Sequence, residues 1–87
     1  PWDKCVGSWI DAREDSGDQL FMGWDRSYRL NSESSPHSGT WHIPAHQSRL
    51  TLYRVDGQRN MWTLDFPNDS TMLWSSEFGE ERLFRRE

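Results

Sequence analysis

The sequence predicts an all-β domain, an antiparallel up-and-down meander of about eight short strands that closes into a small barrel. Three observations carry that reading. Apolar residues recur with a period of two along most of the 87-residue chain, as strands with one buried and one wet face require. Turn signals fall between these runs at short intervals, as in a sheet built from hairpins. No stretch of ten or more residues keeps a 3.6-residue period, and Glu77 to Arg86 is the only weak helical rival.

The elements follow in order. The first strand, 5–11, sets Cys5, Gly7 and Trp9 on one face, and Ser16-Gly17-Asp18 then turns the chain. The second, 19–25, alternates Leu20, Met22 and Trp24 with Phe21, Gly23 and Asp25. A third strand spans 26–32, and Ser32 to Ser38 is the longest loop. In the fourth, 38–43, Trp41 and Ile43 alternate with Thr40 and His42, before Pro44 and Ala45 to Ser48 interrupt the chain. Leu50 and Leu52 alternate with Thr51 and Tyr53 in the fifth, 49–55, and Asp56-Gly57 is the best hairpin dipeptide. The sixth, 60–66, carries Trp62, Leu64 and Phe66 and ends in Pro67-Asn68-Asp69-Ser70. Met72 and Trp74 mark the seventh, 71–77, and Phe78-Gly79-Glu80 leads to the last, 81–86. A meander leaves two edges unpaired unless it closes, and closure removes them. An eight-stranded barrel holds side chains or at most one small ligand. With Trp9, Trp41, Trp62 and Trp74 pointing inward, a plugged barrel is expected rather than an open cup.

Composition bounds the function. The length, 1–87, suits a single small domain. Lys+Arg is 10 against Asp+Glu 14, for a net charge of −4. Neither half is basic enough to track a phosphate backbone, which argues against a nucleic-acid binder. Apolar content of 33% and a mean hydropathy of −0.98 would suit a disordered chain. Six tryptophans and 14% aromatic residues argue otherwise, for a core built on a few large rings. The single Cys5 excludes an internal disulfide framework and any multi-cysteine metal site. No uninterrupted apolar run exceeds three residues, so no membrane span is expected. The chain opens at Pro1 without a signal peptide, which suggests a processed or trimmed product and leaves localisation open.

Two echoes stand in the chain, Gly7-Ser8-Trp9-Ile10 and Gly39-Thr40-Trp41-His42-Ile43. The second runs on to Arg49-Leu50-Thr51-Leu52, and the last strand carries Leu83-Phe84-Arg85-Arg86. In this order they resemble the small bacterial lipocalin-like domains of the calycin group. The resemblance implies a lipocalin-like β-barrel in which Gly7, Trp9, Gly39 and Trp41 are structural. It also implies that an arginine of the last strand (Arg82, Arg85 or Arg86, with Arg85 taken as the structural one) packs over Trp9. Such a cation–π contact is worth about 0.5–2 kcal/mol. It further implies a bacterial envelope or secreted protein: periplasmic, lipoprotein-anchored or secreted rather than cytoplasmic. The chain departs from true lipocalins in being much shorter and in lacking their cysteine pairs.

Candidate chemistry is sparse. His42 and His46 share strand parity, but Pro44 lies between them and His37 sits in a serine-rich loop, so surface histidines are the plainer reading than a metal site. Asp11, Glu14, Asp15 and Asp18 cluster around Arg13 without the spacing of a calcium loop, and read as a solvated turn. Cys5 is the only thiol, and no serine stands in a nucleophile motif. No catalytic residue, metal or cofactor is therefore assigned. The Glu80–Glu87 tail carries three acidic residues that cancel its arginines, so it reads as a strand rather than a membrane peptide. What remains is a non-enzymatic binding domain. Trp24, Asp25, Arg26 and Ser27, with Pro36 and His37 of the 32–38 loop, are expected to form one binding surface at one barrel end. Its partner would be another protein, in an inhibitor or immunity-type role, and the acidic charge suits a basic or peptide partner. The alternatives are a carrier of a small apolar ligand among Leu52, Trp62, Leu64 and Met72, or a structural domain of a larger protein.

Overall fold

Alternating residues that face one another across every ladder turn this chain into a closed barrel. The computed structural model describes residues 2–13, 17–32, 36–44 and 47–87, with Trp2 described by its backbone alone. Among these residues a helical turn, α1 (Trp2–Cys5), precedes eight strands. They are β1 (Gly7–Asp11), β2 (Gln19–Met22), β3 (Ser27–Asn31), β4 (His37–His42), β5 (Arg49–Arg54), β6 (Arg59–Asn68), β7 (Thr71–Ser75) and β8 (Glu81–Arg86). Each pairs antiparallel with the next, and β8 returns to β1, so the ring is closed and none of the described strands is left as an edge. The register places Trp9 opposite Leu20, Leu20 opposite Leu30, Trp41 opposite Leu52, Leu64 opposite Trp74 and Met72 opposite Phe84. All of these residues are buried in one cluster, so period two in the sequence becomes the inner face of the barrel. The all-β meander is thus the observed fold. No described helix is long and apolar enough to cross a membrane.

Boundaries differ from expectation by two residues or more at four places, one of them the end of β7 at Ser75 rather than 77. The first strand begins at Gly7, because residues 2–5 form α1 instead. The indole of Trp9 donates to the Cys5 carbonyl at 2.9 Å, which satisfies one of the carbonyls that a helix end leaves open. The second strand stops at Met22, and the chain turns through Gly23–Arg26, with the Gly23 amide on the Ser27 carbonyl at 2.8 Å. The sixth continues past Pro67 to Asn68 through a register shift between Asp65 and Asn68. A bulge is where a residue without an amide proton is tolerated in a ladder.

Two glycines of the repeated motif explain themselves by space. Gly7 has φ +133°, and a Cβ there would lie 2.7 Å from the guanidinium of Arg86. A Cβ at Gly39 would overlap the Tyr53 carbonyl oxygen, so β4 can approach β5 so closely only without a side chain at this position.

Odd-numbered strands run one way and even-numbered strands the other. The connections after β1, β3, β5 and β7 therefore gather at one end, called the open end below. α1, the 23–26 turn and the connections after β4 and β6 gather at the opposite, closed end.

Candidate functional site

The closed end is sealed by indoles that are fully satisfied. Trp9 is wholly buried, and the Arg86 guanidinium lies 4.3 Å from its ring centroid. The same guanidinium donates to the Val6 carbonyl at 3.0 Å and the Lys4 carbonyl at 2.7 Å, tying β8 to the segment around α1. Arg86 therefore takes the place expected of Arg85, which is exposed and pairs with Ile10 on the outer face. Trp41 repeats the arrangement. Its Nε1 donates to the Gly23 carbonyl at 3.2 Å, and Arg26 sits 5.0 Å from its ring. Cys5 is buried here, and burial pushes its thiol up to about 12, so it stays protonated at neutral pH.

The open end is different. A cavity of about 440 Å³ lies there, between the last inward residues of β3 to β8. Leu30 and Leu52 give it apolar walls, and Trp62 and Trp74, with ring centroids 5.5 Å apart, give it an aromatic one. The remainder is polar. Four buried atoms of its lining residues have no hydrogen-bond partner among the described residues: Arg54 Nε, Asn60 Oδ1, Trp62 Nε1 and Trp74 Nε1. Native interiors pair nearly all such groups, and each one left unpaired costs about 1–3 kcal/mol. These four atoms have almost no accessible surface of their own, so they lie within the wall behind the cavity rather than facing it. The expected plug is half correct: Trp9, Trp41 and Trp74 are buried, whereas Trp62 is only half-buried and borders the cavity. Of the narrow apolar pocket, Leu52 and Trp62 line the cavity, but Leu64 and Met72 are packed into the core.

Charge is arranged around this cavity with care. One nitrogen of Arg82 bridges Asp11 at 3.2 Å and Asp18 at 2.9 Å, and Arg13 binds Asp11 at 3.1 Å. Burial would raise the Asp11 carboxyl, but the bonds from Arg13 and Arg82 outweigh it, so it titrates below its usual value. The two described carboxylates of the acidic cluster are thus spent on arginines. Glu14, Asp15 and His46 lie outside the described residues. His37 borders the cavity with Nδ1 2.8 Å from the Tyr28 hydroxyl. Burial first, then the positive charges of Arg54 and Arg82, lower its pKa and keep the ring neutral at pH 7. Burial pushes the Tyr28 phenol up to about 12.

The residues expected to form one binding surface are not brought together. Trp24, Asp25, Arg26 and Ser27 stand at the closed end, Pro36 and His37 at the open end, at opposite ends of β3. A five-residue strand separates its ends by about 17 Å. Glu33 to Ser35 of the same loop, and the side chain of Trp2, lie outside the described residues. Sequence reasoning misses Arg54, Asn60 and Trp74 as site residues although a signal is present. Arg54 shares the inward parity of Leu50 and Leu52, and Asn60 that of Trp62 and Leu64. A polar side chain at an inward position near a strand end borders a mouth rather than a core. No family model, curated protein or solved structure matches this chain, so the cavity is interpreted from its own geometry.

Proposed function

We propose that this chain is a small non-enzymatic binding barrel that takes a small molecule into its open end. One observation carries the reading: a cavity of about 440 Å³ that sets the apolar walls of Leu30 and Leu52 beside the polar groups of His37 and Arg54. Its size falls in the range of small-molecule sites, which pair apolar walls with a few placed polar groups. The lipocalin-like resemblance supports the same reading. The Gly-x-Trp motif and the stack of Arg86 on Trp9 accord with a small bacterial lipocalin-like, calycin-type domain. That resemblance implies an exported protein, periplasmic, anchored or secreted.

The test is release of ligand. Protein purified without denaturation is unfolded, and the small molecules set free are identified by mass spectrometry beside an Asn60→Trp variant that fills the mouth. A compound released in near-equimolar amount by the native chain and not by the variant is the expected result. Equal release from both would remove the cavity as its site.

A second reading, an inhibitor or immunity-type role toward another protein, is favoured by the 23–26 turn. Trp24 is 66% exposed there, and Arg26 holds φ +72°, a backbone conformation that side-chain-bearing residues rarely adopt. Asp25 braces the turn by accepting from the Ser27 amide and hydroxyl. A stoichiometric protein partner that binds the native chain and loses affinity on Trp24→Ala, with stability unchanged, would support this reading.

A further inference from the structure

We infer that the outer face of β3 to β6 docks an acidic peptide segment, on a surface separate from the open-end cavity. On β3 the exposed Arg29 lies between the buried Tyr28 and Leu30, so period two sets its guanidinium on the outside. The register extends that position round the barrel. Phe21, Arg29 and Ser38 stand in one row, and Val55 continues it, its amide donating to the Ser38 carbonyl at 3.0 Å. In the next row Thr40 faces Tyr53, and Tyr53 faces Arg59. Phe21, Tyr53 and Val55 are all exposed, Val55 by 81%. The short side chains of Ser27 and Ser38, with Gly39, leave a groove of about 490 Å³ that Phe21, Arg29 and Val55 border. Among the described residues Arg29 is the only charged one that lines it.

Charge singles out this face. The chain has a net charge of −4, yet β2 to β5 hold no carboxylate. Arg29 and Arg59 are exposed and form no ion pair among the described residues. Asp56, in the turn between Val55 and Arg59, is held by Arg54 at 2.9 Å. Two accessible guanidinium groups beside exposed apolar side chains fit a partner that offers carboxylates and an apolar residue together. Their spacing sets the pattern. Three strand spacings separate Arg29 on β3 from Arg59 on β6, about 14 Å. An extended peptide covers that distance in about four residues and points every second side chain the same way. The favoured segment therefore carries acidic residues at its first and fifth positions and an apolar one at the third, beside Val55 and Tyr53. A phosphate backbone, charged at every nucleotide, would run on past this face to the turns that carry Asp25 and Asp56.

The probe is a fluorescently labelled peptide, Ser-Glu-Thr-Phe-Thr-Glu-Ser. A second peptide with glutamine in place of both glutamates, and an oligothymidylate of matching length, are its controls. Each is titrated with the chain at low salt, with binding read by anisotropy and its place by amide shifts of the ¹⁵N-labelled chain. The acidic peptide should bind saturably, shift amides of β3 to β6, and weaken as salt is added. The glutamine peptide should bind at least about tenfold more weakly, the difference expected of charge-assisted bonds, and the oligothymidylate should also bind more weakly. Arg29→Gln and Arg59→Gln should each weaken the acidic peptide several-fold, and together bring it to the level of the glutamine peptide. Arg85→Gln, at an exposed arginine of β8, should leave binding unchanged. All three side chains are exposed, where substitutions change stability little. Equal binding of the two peptides would overturn recognition by charge, and an equal loss in Arg85→Gln would overturn the choice of face. Tighter oligothymidylate binding that both other arginine variants abolish would replace the peptide by a nucleic acid. Absence of binding by the acidic peptide at about millimolar concentration would overturn the docking site itself.

Discussion

The two ends of this barrel use the same side chain to opposite effect. At the closed end Trp9 and Trp41 each donate to a backbone carbonyl, and each has a guanidinium over its ring. At the open end Trp62 and Trp74 lie against each other with their indole N–H groups unpaired. A tryptophan whose polar tip is satisfied by its own chain completes the core at one end, whereas Trp74 is as deeply buried at the other with its tip unpaired. The comparison separates indoles that the chain itself satisfies from indoles that it leaves unpaired.

The largest expected effect lies at the closed end. Trp9→Ala should cost about 3–5 kcal/mol, the usual loss for a buried aromatic, measured by urea unfolding. Arg86→Met should follow at about 1–3 kcal/mol, because it leaves the Lys4 and Val6 carbonyls without their donor. If Arg85→Met proved as costly as Arg86→Met, the stack on Trp9 would not be what holds this end. Gly39→Ala should destabilise through the Tyr53 carbonyl it meets, by about 1–3 kcal/mol for an overpacked site.

Smaller effects belong to the open end, where pH should act selectively. Asp11 titrates below its usual value of 3.8 in the folded chain. Its contribution is therefore fully present above about pH 4 and is lost as pH falls through the lower folded value. Asp11→Asn should flatten the acid limb of the stability profile in that window. His37 is also lowered from 6.5, so protons bind the unfolded chain first and stability falls as pH drops below about 6.5. Thermal unfolding between pH 7.5 and 5 should show that decline in the native chain and a shallower one in His37→Gln. The smallest effect completes the comparison. Trp62→Phe removes an unpaired N–H and should change stability by less than about 1 kcal/mol, far less than Trp9→Ala. A loss as large as that of Trp9 would mean that the open end is core after all.

Much of the fold was legible because closure and alternation speak the same language. Leu20, Leu50, Leu52, Leu64 and Met72 sit where period two places them. Trp24 shows how far the rule reaches. It is in phase with Leu20 and Met22, yet the ladder has ended two residues earlier and its side chain is exposed, because alternation is silent about where pairing stops. Parity also separates Arg86 from Arg85, since Arg86 is in step with Phe84 and Arg82. Helical structure at Trp2–Cys5 was not visible, because one turn is too short to show a period. The site was illegible for a different reason. That the loops carrying Trp24 and His37 stand at opposite ends follows from counting strands. That four polar atoms of β5, β6 and β7 go unpaired depends on side-chain packing that no pattern records.

The guanidinium of Arg86 also sets an order of events in folding. Its partners, Val6 and Lys4, lie 80 and 82 residues earlier in the chain, so the ring can close only after β8 itself has been synthesised. Hairpins from β2 to β7 can form locally during synthesis, but the seam between β1 and β8 is a long-range pairing. Pairings of that kind make β topologies slow to fold. Until the seam closes, a nascent chain carries two open strand edges, and this is the interval in which it is most exposed to aggregation. The same residue that seals the finished barrel therefore governs how long the unfinished one remains vulnerable.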